Sequence, residues 1–525
     1  MKNRKYKYKK SNFILENYVK KILKAKVYEI AKETPLSFTP LLSNFLKNNI
    51  FIKREDLQQI FSFKVRGAYN CMRKLAKKKH IQCVITASAG NHAQGVALAA
   101  KQLGIKSIII MPKVTPDIKV LSVQSIGCEV LIKGDNFNSS LNYALNLVKT
   151  YGYTYIPPFD DAEVIAGQGT LAMEVLKQYK NNIYAIFVPV GGGGLIAGIT
   201  AYLKYLRPKI KIVGVEPEDS ACLKEAIKYG YPITLNTIDM FAEGVAVSRV
   251  GNKPFTLIKN ILDDLITVNI DEMCSAVKDI FENTRALAEV SGALSLAGLK
   301  KYITKKNITN NTLICVNTGA NINFDKLQYI AHRTALGENK ELILAIKIPE
   351  SIGSLKVLCN IIGKNKRFTE LNYRFLNKKK ANILIGLKII PGNEDKKNVI
   401  DNIRKADFLV KDMSSNELIK IHIRHLIGGQ VKNFTNIKNY KEELYCFEFP
   451  EKTGALIKFL NSLPEIFNIS LFHYRNYGYA YGRVLIAIQL YKNKIQQVET
   501  NLDKLGYRYW NESNNIAYKM FLNQD

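Results

Sequence analysis

No Cys-x-x-Cys pair occurs among the eight cysteines, which stand at 71, 83, 128, 222, 274, 315, 359 and 446. Such spacing makes neither a disulfide framework nor a zinc site, and it fits a reducing compartment. Histidines number only six, and the helically spaced pair His422 and His425 has no third ligand nearby, so both are read as structural. Acidic side chains are scarce too: 45 Asp plus Glu against 76 Lys plus Arg leave a formal net charge of +31. That surplus invites a nucleic-acid reading, but a binding face concentrates its charge. Here +12 falls in residues 340–525 and +19 in the first 339, a nearly uniform density, and only the opening MKNRKYKYKK forms a cluster. No nucleic-acid partner is expected.

An apolar signal core is also missing, because Phe13, Ile14, Tyr18, Ile22 and Leu23 fall at helical spacing among lysines, with Glu16 interrupting. One uncharged window, Ala185 to Leu203 (AIFVPVGGGGLIAGITAYL), is long enough to span a bilayer. Pro189 and four consecutive glycines make it a poor membrane helix, and it reads as strand, glycine loop and helix. The expectation is a soluble cytoplasmic protein with no membrane partner.

What is present is a folded chain: 525 residues, 47% hydrophobic and 23% charged, enough for about three or four folding units. From about Ile50 to Val316, apolar runs such as CVITAS, SIIIMP, EVLIKG, YAIFVPV and KIVGVE alternate with helical patterns. Strands alternating with helices predict parallel sheets covered on both faces, with ligands beyond the carboxyl ends of the strands. Near Gly337 the character changes and an internal repeat begins. PESIGSL at 349–355 returns as PEKTGAL at 450–456, Tyr373-Arg374 as Tyr474-Arg475, and Leu384-Ile385 as Leu485-Ile486, each 101 residues on. Each copy reads strand, helix, two strands, helix, strand, the ferredoxin-like βαββαβ order. The domains expected are 1–337, 338–427 and 428–525.

Three stretches carry chemistry. Gly191, Gly192, Gly193 and Gly194, between a strand and a helix, let backbone N–H groups crowd an anion at a helix N-terminus, and a phosphate is the natural guest. No Gly-Lys-Ser/Thr follows, which excludes a Walker A loop. Gly192-x-Gly194-x-x-Ala197 does fit a dinucleotide fingerprint, with Glu216 ending the next strand at about the distance a ribose needs. That motif alone supports a nucleotide-dependent oxidoreductase. In SFKVRGAY, Lys64 falls in the first turn of a helix that Ser62 can cap, where the positive helix end biases the amine toward its neutral, nucleophilic form. TASAGNHAQG follows the strand CVIT and opens a helix, presenting backbone donors, a hydroxyl and an amide to a second anionic group.

Taken in order, SFKVRGAY, TASAGNHAQG and VPVGGGGLIAG resemble the fold-type-II pyridoxal-phosphate enzymes, the tryptophan synthase beta-like class, and within them the threonine dehydratases. The likeness extends through PPFDDAEVIAGQGTLAMEVL, VEPEDSACL, FAEGVAV and SGALSLAGLKKYI to the two C-terminal copies, which resemble amino-acid-binding ACT domains. It implies a catalytic domain of two parallel-sheet subdomains with pyridoxal 5′-phosphate as cofactor, followed by tandem ACT-like regulatory domains. By position, Lys64 would carry the cofactor, Asn91 would bond its 3′ oxygen, and Gly191 to Gly194 with Leu195 would cradle its phosphate. Ser88, Gly90 and His92 would surround the substrate carboxylate. Thr318, in Asn317-Thr318-Gly319-Ala320-Asn321, takes the place where the family has a serine against the ring nitrogen. Val290 stands where proline is expected.

The paired modules imply a biosynthetic L-threonine ammonia-lyase opening isoleucine synthesis. Its inhibitor would be L-isoleucine, with L-valine a further candidate, and its assembly a homotetramer. Leu456 and Leu460, four apart on the helix opening at Gly454, offer an apolar wall for such an effector. The rivals are a serine-directed dehydratase or racemase of the same fold type, which the tandem modules disfavour, and the nucleotide-dependent oxidoreductase, which leaves Lys64 and the Asn91 loop unexplained.

Overall fold

The computed structural model describes residues 2–78, 80–338, 340–349, 354–363, 366–377, 380–390, 393–425, 440–450, 468–475 and 481–522. The chain divides into two compact units, Met1–Phe324 and Asp325–Asp525.

In the first unit, six strands lie in the spatial order Leu36–Phe38, Asn49–Arg54, Thr312–Asn317, Ala185–Pro189, Lys211–Pro217, Asp264–Val268, all neighbours parallel except the first pair. A second sheet, Glu129–Ile132, Lys106–Met111, Cys83–Ala87, Thr154–Tyr155, is parallel throughout. Every residue of AIFVP and CVITA is buried, as strands covered on both faces require. The uncharged window at 185–203 is therefore strand, loop and helix, and no helix among the described residues is long and apolar enough to cross a membrane.

The helix Lys64–Lys78 crosses Ala162–Gln178 closely enough that a Cβ at Gly167 would lie 2.7 Å from Gly67 Cα. Beneath this crossing Arg66 is fully buried, donating from Nε to Glu55 Oε2 (2.7 Å) and from Nη1 to Glu174 Oε1 (2.6 Å). Lys53 Nζ meets the other oxygen of Glu174 at 2.5 Å. Removing one member of so dry a network leaves a charge uncompensated, which costs about 3–5 kcal/mol. The network thus pins the first turn of the helix that Lys64 opens.

The second unit contains two antiparallel four-stranded sheets: Arg367–Asn377, Lys380–Lys388, Glu341–Pro349, Leu409–Asp412, and Asn468–Arg475, Tyr481–Tyr491, Tyr440–Pro450, Arg508–Asn511. Both have the chain-order pattern 2-3-1-4 of a ferredoxin-like βαββαβ module. The repeat persists in the pairing. Leu344 faces Ile385 and Tyr445 faces Ile486, and a β-bulge between Phe368 and Glu370 recurs between Ile469 and Leu471, 101 residues on. At the last strand the offset falls to 99, since Leu344 also faces Asp412 and Tyr445 faces Asn511.

After its last strand each copy runs into a short helix, Glu417–Ile421 or Ile516–Phe521, capped by Asn416 or Asn515. Ile343, Ala345 and Leu384 of one copy and Leu444, Cys446 and Leu485 of the other form a single core with these helices. Asn416 Nδ2 donates to Asn515 Oδ1 across it (3.3 Å). Helix Lys326–Gly337 belongs to this unit, so the division precedes the change of character at Gly337. His422 and His425 do not share a regular helix: the helix stops at Ile421, and His422 is buried with Nε2 3.7 Å from Cys446 Sγ. No metal-binding group of His, Cys, Asp or Glu occurs among the described residues. Leu456 and Leu460 lie outside the described residues.

Candidate active site

Lys64 is the first residue of its helix, but Ser62 does not cap it. The backbone of Ser62 bridges instead to Gly319, and its Oγ is buried without a hydrogen-bond partner. Phe63 N–H donates to Thr318 O (3.2 Å) and Ala320 N–H to Phe61 O (2.9 Å), so the lead-in to the helix behaves as a strand and draws the 317–321 loop to Lys64. Lys64 Nζ donates to Pro158 O at 3.1 Å. Burial lowers its pKa to about 8, with the charge of Glu289 acting in the opposite sense. About a tenth of such an amine is neutral at pH 7, far more than for an ordinary lysine.

Pro158 leads directly to the glycine loop, because its neighbour Phe159 packs on it. A Cβ at Gly192 would overlap the Phe159 ring, and one at Gly194 would lie 3.0 Å from Phe159 Cβ. Gly193 has a left-handed φ of 87°, and a Cβ there would lie 2.9 Å from Pro254 Cβ. The loop must be bare, and it delivers unshielded N–H groups to the start of the 13-residue helix Gly194–Leu206, where Leu195 is buried. Glu216 is committed elsewhere. Its two oxygens accept from Leu223 N–H (2.7 Å) and Lys224 N–H (2.9 Å), opening the helix Cys222–Tyr229, and burial pushes its pKa up to about 8. The acidic partner that a ribose needs is thereby used for capping, which removes the support for a nicotinamide cofactor.

Asn91 opens the helix Asn91–Leu103, whose Gly95 fits so closely that a Cβ would lie 3.2 Å from the Lys64 carbonyl. Its Nδ2 donates to Glu289 Oε1 and its Oδ1 accepts from Asn321 Nδ2, both at 2.7 Å. Thr318 is buried, with Oγ1 donating to Ser291 O (3.2 Å). Val290 is the first residue of helix Val290–Lys306, a position that suits proline, and the entry forms without it. Ser88 is half-buried, and its Oγ accepts from the N–H of exposed Gly90 (3.3 Å). The imidazole of His92 is buried, its Nε2 lies 3.0 Å from Ile156 O, and burial, then the charge of Lys64, lowers its pKa to about 3. The ring is neutral and occupied, so His92 can offer a carboxylate only its backbone N–H.

These residues fit pyridoxal phosphate. A buried amine, a loop that no side chain can enter, and two buried polar atoms without partners beside Lys64 and Thr318, Ser62 Oγ and Asn317 Nδ2, await acceptors or donors from a ligand. The sequence gives no role to Pro158, Phe159 or Glu289, whose segments only the fold brings to Lys64, nor to Asn321, whose bond to Asn91 depends on that same fold.

Residues 27–319, more than half of the chain, match the family described as pyridoxal-phosphate dependent enzyme, and the chain belongs to that family and uses its cofactor. Residues 332–423 and 434–522 match the C-terminal regulatory domain of threonine dehydratase. The chain is 48% identical over 505 residues to L-threonine dehydratase biosynthetic IlvA of Salmonella typhimurium, covering 96% of this chain and 97% of that protein. It is therefore a member of the biosynthetic threonine dehydratases, lyases dependent on pyridoxal phosphate. Among solved structures, the processed form of threonine deaminase isoform 2 from Solanum lycopersicum aligns with a TM-score of 0.60 and 43% identity, over 61% of this chain and 93% of that one. Serine racemase from Dictyostelium discoideum aligns with a TM-score of 0.54 and 30% identity, over 58% of this chain and 99% of that one.

Proposed function

We propose that the chain dehydrates and deaminates L-threonine to 2-oxobutanoate and ammonia, the step that opens isoleucine synthesis, in the cytoplasm and as a homotetramer. The observation that carries the catalytic half is the meeting of Lys64 with the bare glycine loop through Pro158 and Phe159. Lys64 would hold the cofactor, Asn91 its 3′ oxygen, Gly191 to Gly194 and Leu195 its phosphate, and Thr318 its ring nitrogen. Pyridoxal phosphate, when bound, supplies an electron sink that makes the Cα proton of the amino acid removable. Lys64 Nζ, with its lowered pKa, takes that proton, and the β-hydroxyl leaves with a proton from Lys64 or from the cofactor phosphate. Ser88 and the N–H groups of Gly90 and His92 orient the substrate carboxylate at the helix start. The enamine released becomes 2-oxobutanoate and ammonia in water. A serine-directed enzyme of this fold would need no second unit with two amino-acid-binding modules, for which the boundaries 338–427 and 428–525 are proposed.

A hydroxyl at Thr318 does not hold a ring nitrogen protonated as a carboxylate would, so elimination competes well with transamination. Thr318→Ser is expected to leave dehydration within about threefold, a change of under 1 kcal/mol. Thr318→Asp should slow elimination and raise side transamination. Product analysis that finds Asp equal to Thr in rate and product ratio would show that residue 318 does not meet the ring.

The regulatory half rests on the two ferredoxin-like modules and is assigned to L-isoleucine, with L-valine second and Leu456 and Leu460 as the apolar wall. Purified protein given L-threonine should release 2-oxobutanoate, and L-isoleucine should lower the rate. Because the coupling free energy is reciprocal, threonine should weaken isoleucine binding in calorimetric titrations. No isoleucine heat from the intact protein would overturn the regulatory assignment, and no 2-oxobutanoate would overturn the catalytic one.

A further inference from the structure

The proposed cofactor contacts Asn91 and Thr318 come from distant segments, yet one acidic residue touches the machinery of both. Glu289 immediately precedes helix Val290–Lys306, and its N–H donates to Gly319 O (3.0 Å). Ser291, two residues on, accepts the Thr318 hydroxyl at its carbonyl. The Glu289 carboxyl is enclosed, only 8% of the residue being exposed, and a Cβ at Gly319 would lie 2.7 Å from Oε1. It reaches across to Asn91, accepting from Nδ2 at 2.7 Å. On the other side Asn321 Nδ2 donates to both Asn91 Oδ1 (2.7 Å) and Ile60 O (2.8 Å).

These bonds leave the Asn91 amide one orientation. Reversed, its oxygen would face the Glu289 carboxylate and its NH2 would face the NH2 of Asn321. In the observed orientation one N–H goes to Glu289 and the other remains for a ligand. We propose that Glu289 is a positioning residue of the cofactor site, holding one N–H of Asn91 so that the second is aimed at the 3′ oxygen of pyridoxal phosphate. The inference rests on the cofactor reading above and adds a residue to it.

The carboxyl also titrates in a useful range. Burial raises its pKa to about 7, while hydrogen bonds from Asn91 and Ser291 act to lower it. The charged groups around it are Glu243, which raises it, Lys119 from helix Asp117–Gln124, which lowers it, and Lys64. Above neutrality the bond from Asn91 is charge-assisted, and as pH falls through about 7 that advantage is lost.

The test is titration of apoprotein with pyridoxal phosphate, followed by visible absorbance, for wild type, Glu289→Gln and Glu289→Ala on either side of neutrality. Loss of the bond in Glu289→Ala should weaken cofactor binding about tenfold to hundredfold. Glu289→Gln keeps an acceptor for Asn91, so at alkaline pH it should bind within about threefold of wild type while losing the pH dependence, a contrast of under 1 kcal/mol against one several times larger. Wild type alone should bind the cofactor more weakly below pH 7 than above it. Wild-type affinity in Glu289→Ala, affinity in Glu289→Gln as poor as in Glu289→Ala, or a flat wild-type pH profile would each overturn the proposal. Failure of wild type itself to take up pyridoxal phosphate would instead overturn the cofactor reading and this inference with it.

Discussion

Lys64→Ala is expected to lower 2-oxobutanoate production by at least about 10³-fold, within the range that loss of a positioned acid or base removes, and to abolish the visible absorbance of the purified protein. Both effects have one origin. The substitution removes the amine proposed to hold the cofactor and, with it, the base proposed for the Cα proton. The fold should survive, because the hydrogen bond described for Lys64 Nζ is the one to Pro158 O, and the packing of this helix comes from Val65, Ala68, Tyr69 and Met72. Alanine is also the best helix former. The thermal midpoint should therefore change little, corresponding to roughly 1 kcal/mol for the lost bond. Steady-state production near the wild-type rate would sink the assignment of Lys64, and collapse of the fold would be seen at once as a lowered midpoint.

Gly192→Ala should be nearly as damaging, for a steric reason. The new Cβ would overlap the Phe159 ring, so either the ring or the loop must move. Overpacking of this kind costs about 1–3 kcal/mol in stability. A functional cost is added to this, because Phe159 follows Pro158, whose carbonyl receives Lys64 Nζ, and a shift is transmitted to both ends of the proposed cofactor site. Pyridoxal phosphate affinity should fall by at least about tenfold, or 1.4 kcal/mol. Phe159→Leu in the same chain makes room and should restore part of the binding, measured by absorbance titration. A Gly192→Ala protein that binds the cofactor as wild type does would show that the loop is not the phosphate cradle.

Much of this was legible because local chemistry and chain order agree. CVITA and AIFVP read as buried strands, the glycine run as a turn into a helix, and Lys64 as a helix-initial amine, and each is so. The 101-residue repeat carried even the pairing register of the first three strands of each sheet. Ser62 was misread as a cap because the rule sees a hydroxyl two residues before a helix and cannot see Gly319 bridging its backbone. The place of His92 around the carboxylate came from the resemblance and said nothing of its ring, which the first turn of the helix turns to Ile156. Glu289 carried no signal at all: a carboxylate before a helix is ordinary capping chemistry, and its role here depends on Asn91, far away in the chain. Glu216 shows the converse, a residue whose position fits a motif while its oxygens serve a neighbouring helix.

The core shared by the two C-terminal copies bears on how that unit can respond. Ala345 and Cys446 occupy equivalent places in the two sheets, yet both are covered by the same layer of short helices, and neither sheet has that face closed by its own copy alone. Melting one copy would strip the other of its lid. The pair is therefore one cooperative body with two faces of its own, closed separately by the Leu358 and Val399 side chains in the first copy and by Val498 and Leu502 in the second. A disturbance of either separate face has to be accommodated by the common layer, which is close-packed and cannot yield to one side without moving the other. Duplication has produced one body closed by a common layer from what would otherwise be two beads on a string.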